Sequence, residues 1–197
     1  MSTKTKDLQS TNEFFHVYNR GVNKNNIFFN ERNFCYFRQR MLKANSLSSI
    51  EIIAYCLMPN HFHFIIRQLE PFGISGFMRN VCDGYAKAIN KERSRSGHLF
   101  EGKYKMKHID NDLYLFHLSR YIHLNPVRAC LVDLPEEWPH SSCRTYYGLQ
   151  RDPVITMHLV LQQFGGLTNY KSFVEGYLPQ DREKIKTVLF MKDDRHL

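Results

Sequence analysis

Two apolar runs rich in β-branched and aromatic residues, Ile50–Met58 and His61–Gln68, are separated only by Pro59 and Asn60. Runs of this length and composition form strands, and the Met58-Pro59-Asn60 step is a tight-turn signal, so the pair predicts an antiparallel hairpin. The neighbouring segments build around it. Phe14-Phe15-His16-Val17-Tyr18 predicts an earlier strand closed by Asn19-Arg20-Gly21. Residues 30–45 carry Phe34, Phe37, Met41 and Leu42 at helical spacing, and residues 74–93 carry Phe77, Val81, Tyr85, Ala88 and Ile89 in the same way. Residues 104–109 alternate lysine with apolar side chains, which predicts a strand with one wet, basic face. Asn111-Asp112 caps a further helix, and Pro126 disfavours helical geometry at the residue before it, so that helix is expected to end near Asn125.

The order is strand, helix, two strands, helix, strand, helix. With an antiparallel hairpin inside it, that order predicts an α+β fold: a sheet with helices on one face. Beyond Val132 the pattern is less regular. Residues 156–164, 170–177 and 180–192 predict short helices packed on the core. The expected division is a polar tail at 1–12, an α+β core domain at 13–132 and a helical C-terminal extension at 133–197.

At 197 residues the chain can bury a core without covalent staples. Its five cysteines are scattered, with no Cys-x-x-Cys, which argues against a disulfide framework or a structural zinc site and for a reducing compartment. No apolar run approaches the ~18 residues that span a bilayer, and the polar N-terminus has no signal-peptide core. A cytoplasmic protein without a membrane partner is expected. Lys and Arg exceed Asp and Glu by 27 to 19, a net charge of +8, which favours a polyanionic partner.

Three constellations bear chemistry. In His61-Phe62-His63, strand alternation points both imidazoles to one face while Phe62 anchors the other. Imidazoles about 7 Å apart at their Cα atoms can converge on one metal at about 2.1 Å; the same pattern also describes two polar residues on a wet sheet face. In Arg120-Tyr121-Ile122-His123-Leu124-Asn125-Pro126, Tyr121 and Asn125 lie one turn apart on one helix face. A phenol is a poor nucleophile until a site activates it, and a carboxamide one turn away could give a metal an oxygen. A buried tyrosine with a capping asparagine would look alike, and Tyr114 is a rival nucleophile. Finally, residues 79–107 hold eight Lys or Arg, among them Arg79, Lys87, Lys103 and Lys105, against Asp83, Glu92 and Glu101, with Tyr85, Phe100 and Tyr104 interleaved. Cations suit phosphates and aromatic faces suit unpaired bases, although a solvated helix face beside a lysine-protected edge strand accounts for the same pattern.

Met58-Pro59-Asn60-His61-Phe62-His63-Phe64 closely resembles the HUH signature of single-strand DNA transposases. Tyr121-Ile122-His123-Leu124-Asn125-Pro126-Val127-Arg128-Ala129 resembles the nucleophile helix of one branch, the tyrosine transposases associated with repetitive extragenic palindromes (REP). Three further blocks match that branch: Tyr18-Asn19-Arg20-Gly21, Gly97-His98-Leu99-Phe100-Glu101-Gly102-Lys103-Tyr104-Lys105 and Trp138-Pro139-His140-Ser141-Ser142. One departure is Cys130, where the family often has glycine. The resemblance implies a ferredoxin-like or RRM-like palm. It implies Mg²⁺ or Mn²⁺ on His61, His63 and Asn125, and a Tyr121 that attacks single-stranded DNA beside a hairpin and holds its 5′ phosphate. Arg79, Lys87, Lys103 and Lys105 are then candidates for the DNA grip. Monomer and homodimer both remain open. The competing readings are a non-catalytic RRM-like binding module, for which base-stacking aromatic motifs are not evident, and a metallohydrolase, which would need more carboxylates near the histidines.

Overall fold

The computed structural model describes residues 7–176. Four strands, β1 (Glu13–Arg20), β2 (Ile50–Met58), β3 (His61–Gln68) and β4 (Lys105–Ile109), form one antiparallel sheet in the order β2-β3-β1-β4. The hairpin stands where the sequence places it, with Met58 opposite His61. β1 runs two residues further than expected. Arg20 pairs with His61, so Asn19 and Arg20 complete the ladder rather than leaving it.

Helix α1 (Glu31–Asn45) begins where the Asn30 side chain accepts a hydrogen bond from the Asn33 amide at 3.1 Å, satisfying one of the donors a helix start leaves open. Helix α2 (Gly73–Glu92) follows β3. Alternation sorts the strand side chains between two layers. Phe15, Val17, Phe62, Phe64 and Ile66 pack with Phe37, Met41, Phe77, Val81 and Tyr85 of α1 and α2. These two helices occupy the expected single face. The opposite face holds Ile53, Cys56, Met58 and Ile65 and packs against Leu115, Leu118 and Ile122 of helix α3 (Asp112–Arg128). That face thus has its own helical cover, which a local reading of the strands does not show.

Helix α3 does not end near Asn125; it continues through Pro126 to Arg128. A proline inside a helix forfeits one backbone hydrogen bond and crowds the carbonyl four residues before. Here the loss falls in the last turn, which closes on itself. The Cys130 amide donates to the Val127 carbonyl at 2.9 Å, and the Leu131 amide to the Pro126 carbonyl at 3.0 Å. This is the Schellman arrangement, which wants a left-handed residue after the cap, and Cys130 sits there with φ 53°. A side chain at such a position costs roughly 1–2 kcal/mol. The added freedom of glycine in the unfolded chain returns part of that. Cys130→Gly should therefore raise the unfolding free energy by about 0.5–1 kcal/mol; a lower urea midpoint at unchanged slope would contradict this account of the turn.

Residues 133–176 lie along the α3 face and the β2 edge. A 3-10 turn at Pro135–Glu137 leads to α4 (Cys143–Tyr146), α5 (His158–Phe164) and α6 (Leu167–Glu175). The expected helices at 156–164 and 170–177 are thus present with shifted ends, and the one expected at 180–192 lies outside the described residues. The Trp138 to Ser142 block covers the open edge of β2. The Leu57 amide donates to the His140 carbonyl at 2.9 Å, the Ser142 amide to the Tyr55 carbonyl at 3.0 Å, and Trp138 Nε1 to the Leu57 carbonyl at 2.9 Å. An uncovered edge strand invites pairing with other chains, and this segment occupies that position. No described helix is long and apolar enough to cross a membrane.

Candidate active site

Strand alternation places His16, Tyr18 and Arg20 of β1 on the same face as His61 and His63 of β3, with Tyr18 opposite His63 and Arg20 opposite His61. The His61 and His63 rings lie 5.1 Å apart, centre to centre, at 81°. Each is held by its Nδ1. His61 Nδ1 is 2.6 Å from the Asn60 carboxamide oxygen, which requires that nitrogen to carry the proton. His63 Nδ1 is 2.9 Å from His16 Nε2. Fixing one imidazole nitrogen in this way orients the other and sets its lone pair. Burial, with Arg20 adding to it, pushes the His61 pKa down to about 4. Burial, then His16 and His61, holds that of His63 well below the ordinary histidine value. Both rings are therefore neutral near pH 7, the form that ligates a cation.

Helix α3 brings Tyr121 to this pair. Its ring meets His63 edge-on, 5.7 Å between centres. The Arg128 guanidinium, one turn beyond Asn125, lies 4.9 Å over the same ring; the continuation of α3 past Pro126 is what puts it there. Burial raises the Tyr121 pKa, while Arg128 and then Asn125 oppose the rise. Asn125 is 8% exposed and its Nδ2 has no hydrogen-bond partner. The carboxamide is thus near enough to act on the phenol electrostatically but lacks hydrogen-bond geometry. A buried amide with an idle end beside a phenol is unusual in a settled interior. Tyr114, the rival, is buried beneath Lys107, whose ammonium lies 5.2 Å from its ring centre.

The structure separates the basic candidates. Lys105 lies opposite Tyr18 on the histidine face, its ammonium 5.8 Å from the Tyr18 ring centre. Lys103 is exposed in the loop just before β4. Arg79 and Lys87 are exposed on α2, in the layer across the sheet from the histidines. Sequence reasoning did not single out His16 or Arg128. The alternation of β1 shows only that His16 shares a face with Phe14, Tyr18 and Arg20; that this is the face of His61 and His63 follows from the pairing of β1 with β3. Among the described residues, no cluster of three or more His, Cys, Asp or Glu is placed to hold a metal.

A buried network ties α3 to the extension. His123 lies 2.8 Å from Ser142 Oγ through Nε2 and 2.8 Å from the Tyr170 hydroxyl through Nδ1. The Tyr170 hydroxyl donates to Ser119 Oγ at 3.1 Å. His123 is fully buried, and burial alone pushes its pKa from 6.5 down to about 3. The unfolded chain takes up this proton near pH 6.5 and the folded chain only near pH 3. Stability is then complete above pH 6.5 and falls as pH is lowered, by up to about 1.4 kcal/mol per pH unit for this group. Urea unfolding at pH 7.5 and 5.0 should show a smaller drop in His123→Gln than in the wild type; an equal drop would remove His123 as the source.

A family model described as "Transposase IS200 like" matches residues 10–125, more than half of the chain, spanning all four strands and α3 through Tyr121 and Asn125. The chain belongs to the IS200-like transposase family. Its fold is shared with a solved REP-associated tyrosine transposase bound to a REP hairpin, at TM-score 0.61 and 17% identity over 75% of this chain and 93% of that one. A Deinococcus radiodurans R1 protein assigned as a transposase aligns at TM-score 0.41 and 13% identity over 55% and 87%, too distant to bear on the fold. No curated protein sequence matches. The α+β palm expected from the motifs is therefore the fold of a transposase.

Proposed function

We propose that this IS200-like transposase cuts and rejoins single-stranded DNA beside a hairpin, with Tyr121 as nucleophile and a divalent metal, Mg²⁺ or Mn²⁺, held by His61, His63 and Asn125. The observation that carries the reading is the Tyr121 ring against His63 within one chain. The donors fit such an ion. The Asn60 contact leaves His61 Nε2 unprotonated and the His16 contact can do the same for His63, so each ring can offer a lone pair to a cation; Asn125 would contribute its carboxamide oxygen, since its Nδ2 can only donate. When bound, the metal polarises the scissile phosphate as a Lewis acid.

The protein's own groups account for the remaining steps. Tyr121 Oη gives up its proton to solvent and attacks phosphorus, forming a phosphotyrosine bond to the 5′ phosphate. The bond to the leaving 3′ oxygen breaks, and that oxygen takes a proton from solvent to become a free hydroxyl. Arg128 over the Tyr121 ring offsets part of the burial cost of the phenolate. Because a phosphodiester is exchanged for a phosphodiester, the 3′ hydroxyl can later reverse the attack on the same or another strand without a nucleotide cofactor. Lys105, on the histidine face, and Lys103, exposed in the loop before β4, suit the scissile strand. Arg79 and Lys87, across the sheet, can serve only a duplex or hairpin arm that wraps around the palm. A cytoplasmic setting suits this chemistry.

The reading is tested by incubating the protein with end-labelled hairpin oligonucleotides and Mg²⁺ or Mn²⁺, followed by denaturing electrophoresis. A protein–DNA adduct supports it; free products alone would favour water as nucleophile, and binding alone a non-catalytic module.

Both halves of the site come from one chain, so a monomer is sufficient. An equimolar mixture of His63→Ala and Tyr121→Phe should remain inactive. Recovery of activity in the mixture would show that α3 serves the histidines of a second copy.

A further inference from the structure

On the rim of the palm, the residues after β1 and those after α2 enclose a cleft of about 530 Å³ lined by Lys24, Asn25, Asn26, Phe29, Arg93 and Arg95. Three of the six are cations and none is acidic. Of the nearby acids, Glu92 accepts from Asn33 at 2.9 Å and from Asn30 at 3.4 Å, and Glu101 is paired with Arg20 while also within electrostatic reach of Lys24. The Arg93 guanidinium lies over the Phe29 ring, 3.9 Å from its centre. Arg95 is steadied by the His98 carbonyl at 3.2 Å. Asn23, Lys24 and Ser94 all take positive φ, at 56°, 59° and 49°. Non-glycine residues held this way cost of order 1–3 kcal/mol each and cluster at ligand clamps.

The cleft is also fixed to the reaction centre. Asn60, whose carboxamide oxygen holds His61, donates through Nδ2 to the Lys24 carbonyl at 3.1 Å. The Ile27 and Phe28 amides donate to the Pro59 carbonyl at 2.8 and 2.9 Å. The wall that carries Lys24 and Phe29 is therefore clamped to the same turn that presents the histidines.

We infer that this cleft is a subsite for a phosphodiester of single-stranded DNA adjoining the cut, a proposal that rests on the function given above. Guanidinium forks match phosphate oxygens in pairs, and the Arg93–Phe29 stack offers a planar surface on which the attached base can lie. The volume of the cleft falls within the roughly 300–1,000 Å³ of small-ligand sites.

The test uses a fluorescein-labelled twelve-residue oligothymidylate, titrated by anisotropy over a range of salt concentrations. Its probes are the wild type, Lys24→Gln/Arg95→Gln, which leaves the Arg93–Phe29 stack intact, and Lys24→Gln/Arg93→Gln/Arg95→Gln. Single-strand contacts are each worth about 0.7 in the log–log salt slope. The double variant should lose about 1.4 units of slope and the triple about 2, with affinity at low salt down at least about tenfold and near-wild-type thermal melting. Wild-type protein that forms a covalent DNA adduct, together with a double variant that melts normally and keeps the wild-type slope, overturns the subsite alone. Wild-type protein that neither binds the oligonucleotide nor forms an adduct overturns the proposed function and the subsite with it.

Discussion

His61→Ala and His63→Ala should each lower metal-dependent cleavage by on the order of 10²–10³-fold, the scale on which one preorganised electrostatic contact to a transition state acts. Hairpin binding should change by no more than a few-fold, because the cations assigned to the DNA grip, Arg79, Lys87, Lys103 and Lys105, are retained in both variants. The two variants differ in what else they disturb. His63 is 1% exposed and hydrogen-bonded to His16, so its truncation also costs about 1–3 kcal/mol of stability. His61 is only partly buried, and its loss separates chemistry from folding. Calorimetric titration with Mn²⁺ gives a readout independent of cleavage, and both variants should lose most of their affinity. His16→Ala, which removes only the group orienting His63, should lose about 10–100-fold in metal affinity. Cleavage at the wild-type rate by His61→Ala, with Mg²⁺ present and the fold intact, would remove the motivation for a metal on these residues.

The parts of the fold that follow local rules were legible in the sequence. The β2–β3 hairpin is specified by two apolar runs rich in β-branched and aromatic residues and by the Pro59-Asn60 turn. α1 begins at Asn30 because its side chain caps the Asn33 amide. His61 and His63 share a face because a strand alternates and Phe62 fills the core between them. What was not legible depends on contacts distant in sequence. The end of α3 follows from the closing bonds to Val127 and Pro126, which make the proline tolerable in the last turn. The role of His16 requires knowing that β1 lies beside β3. The basic run from Arg79 to Lys107 reads as one feature in sequence but divides in space, since α2 packs on one face of the sheet while Lys105 belongs to the other. The helical cover over the histidine face depends on α3 and residues 133–176, whose contacts with β2 involve backbone groups that no side-chain pattern reports.

Tyr121→Phe should eliminate the covalent adduct and lower strand cleavage by on the order of 10⁴–10⁶-fold, as removal of a covalent nucleophile does elsewhere. The substitution removes one hydroxyl and keeps the ring that meets His63 and lies under Arg128, so melting temperature and hairpin affinity should stay close to wild type. Tyr114→Phe should remain active, because that ring is buried beneath Lys107 at an earlier turn of α3. The measurement that bears most directly on the account is mass spectrometry of the adduct formed with a 3′-labelled hairpin oligonucleotide and Mg²⁺ or Mn²⁺. The account predicts that the label travels with the protein in denaturing gels and that the nucleotide is joined through its 5′ phosphate to Tyr121. An adduct that persists in Tyr121→Phe, or that maps to Tyr114, would contradict it.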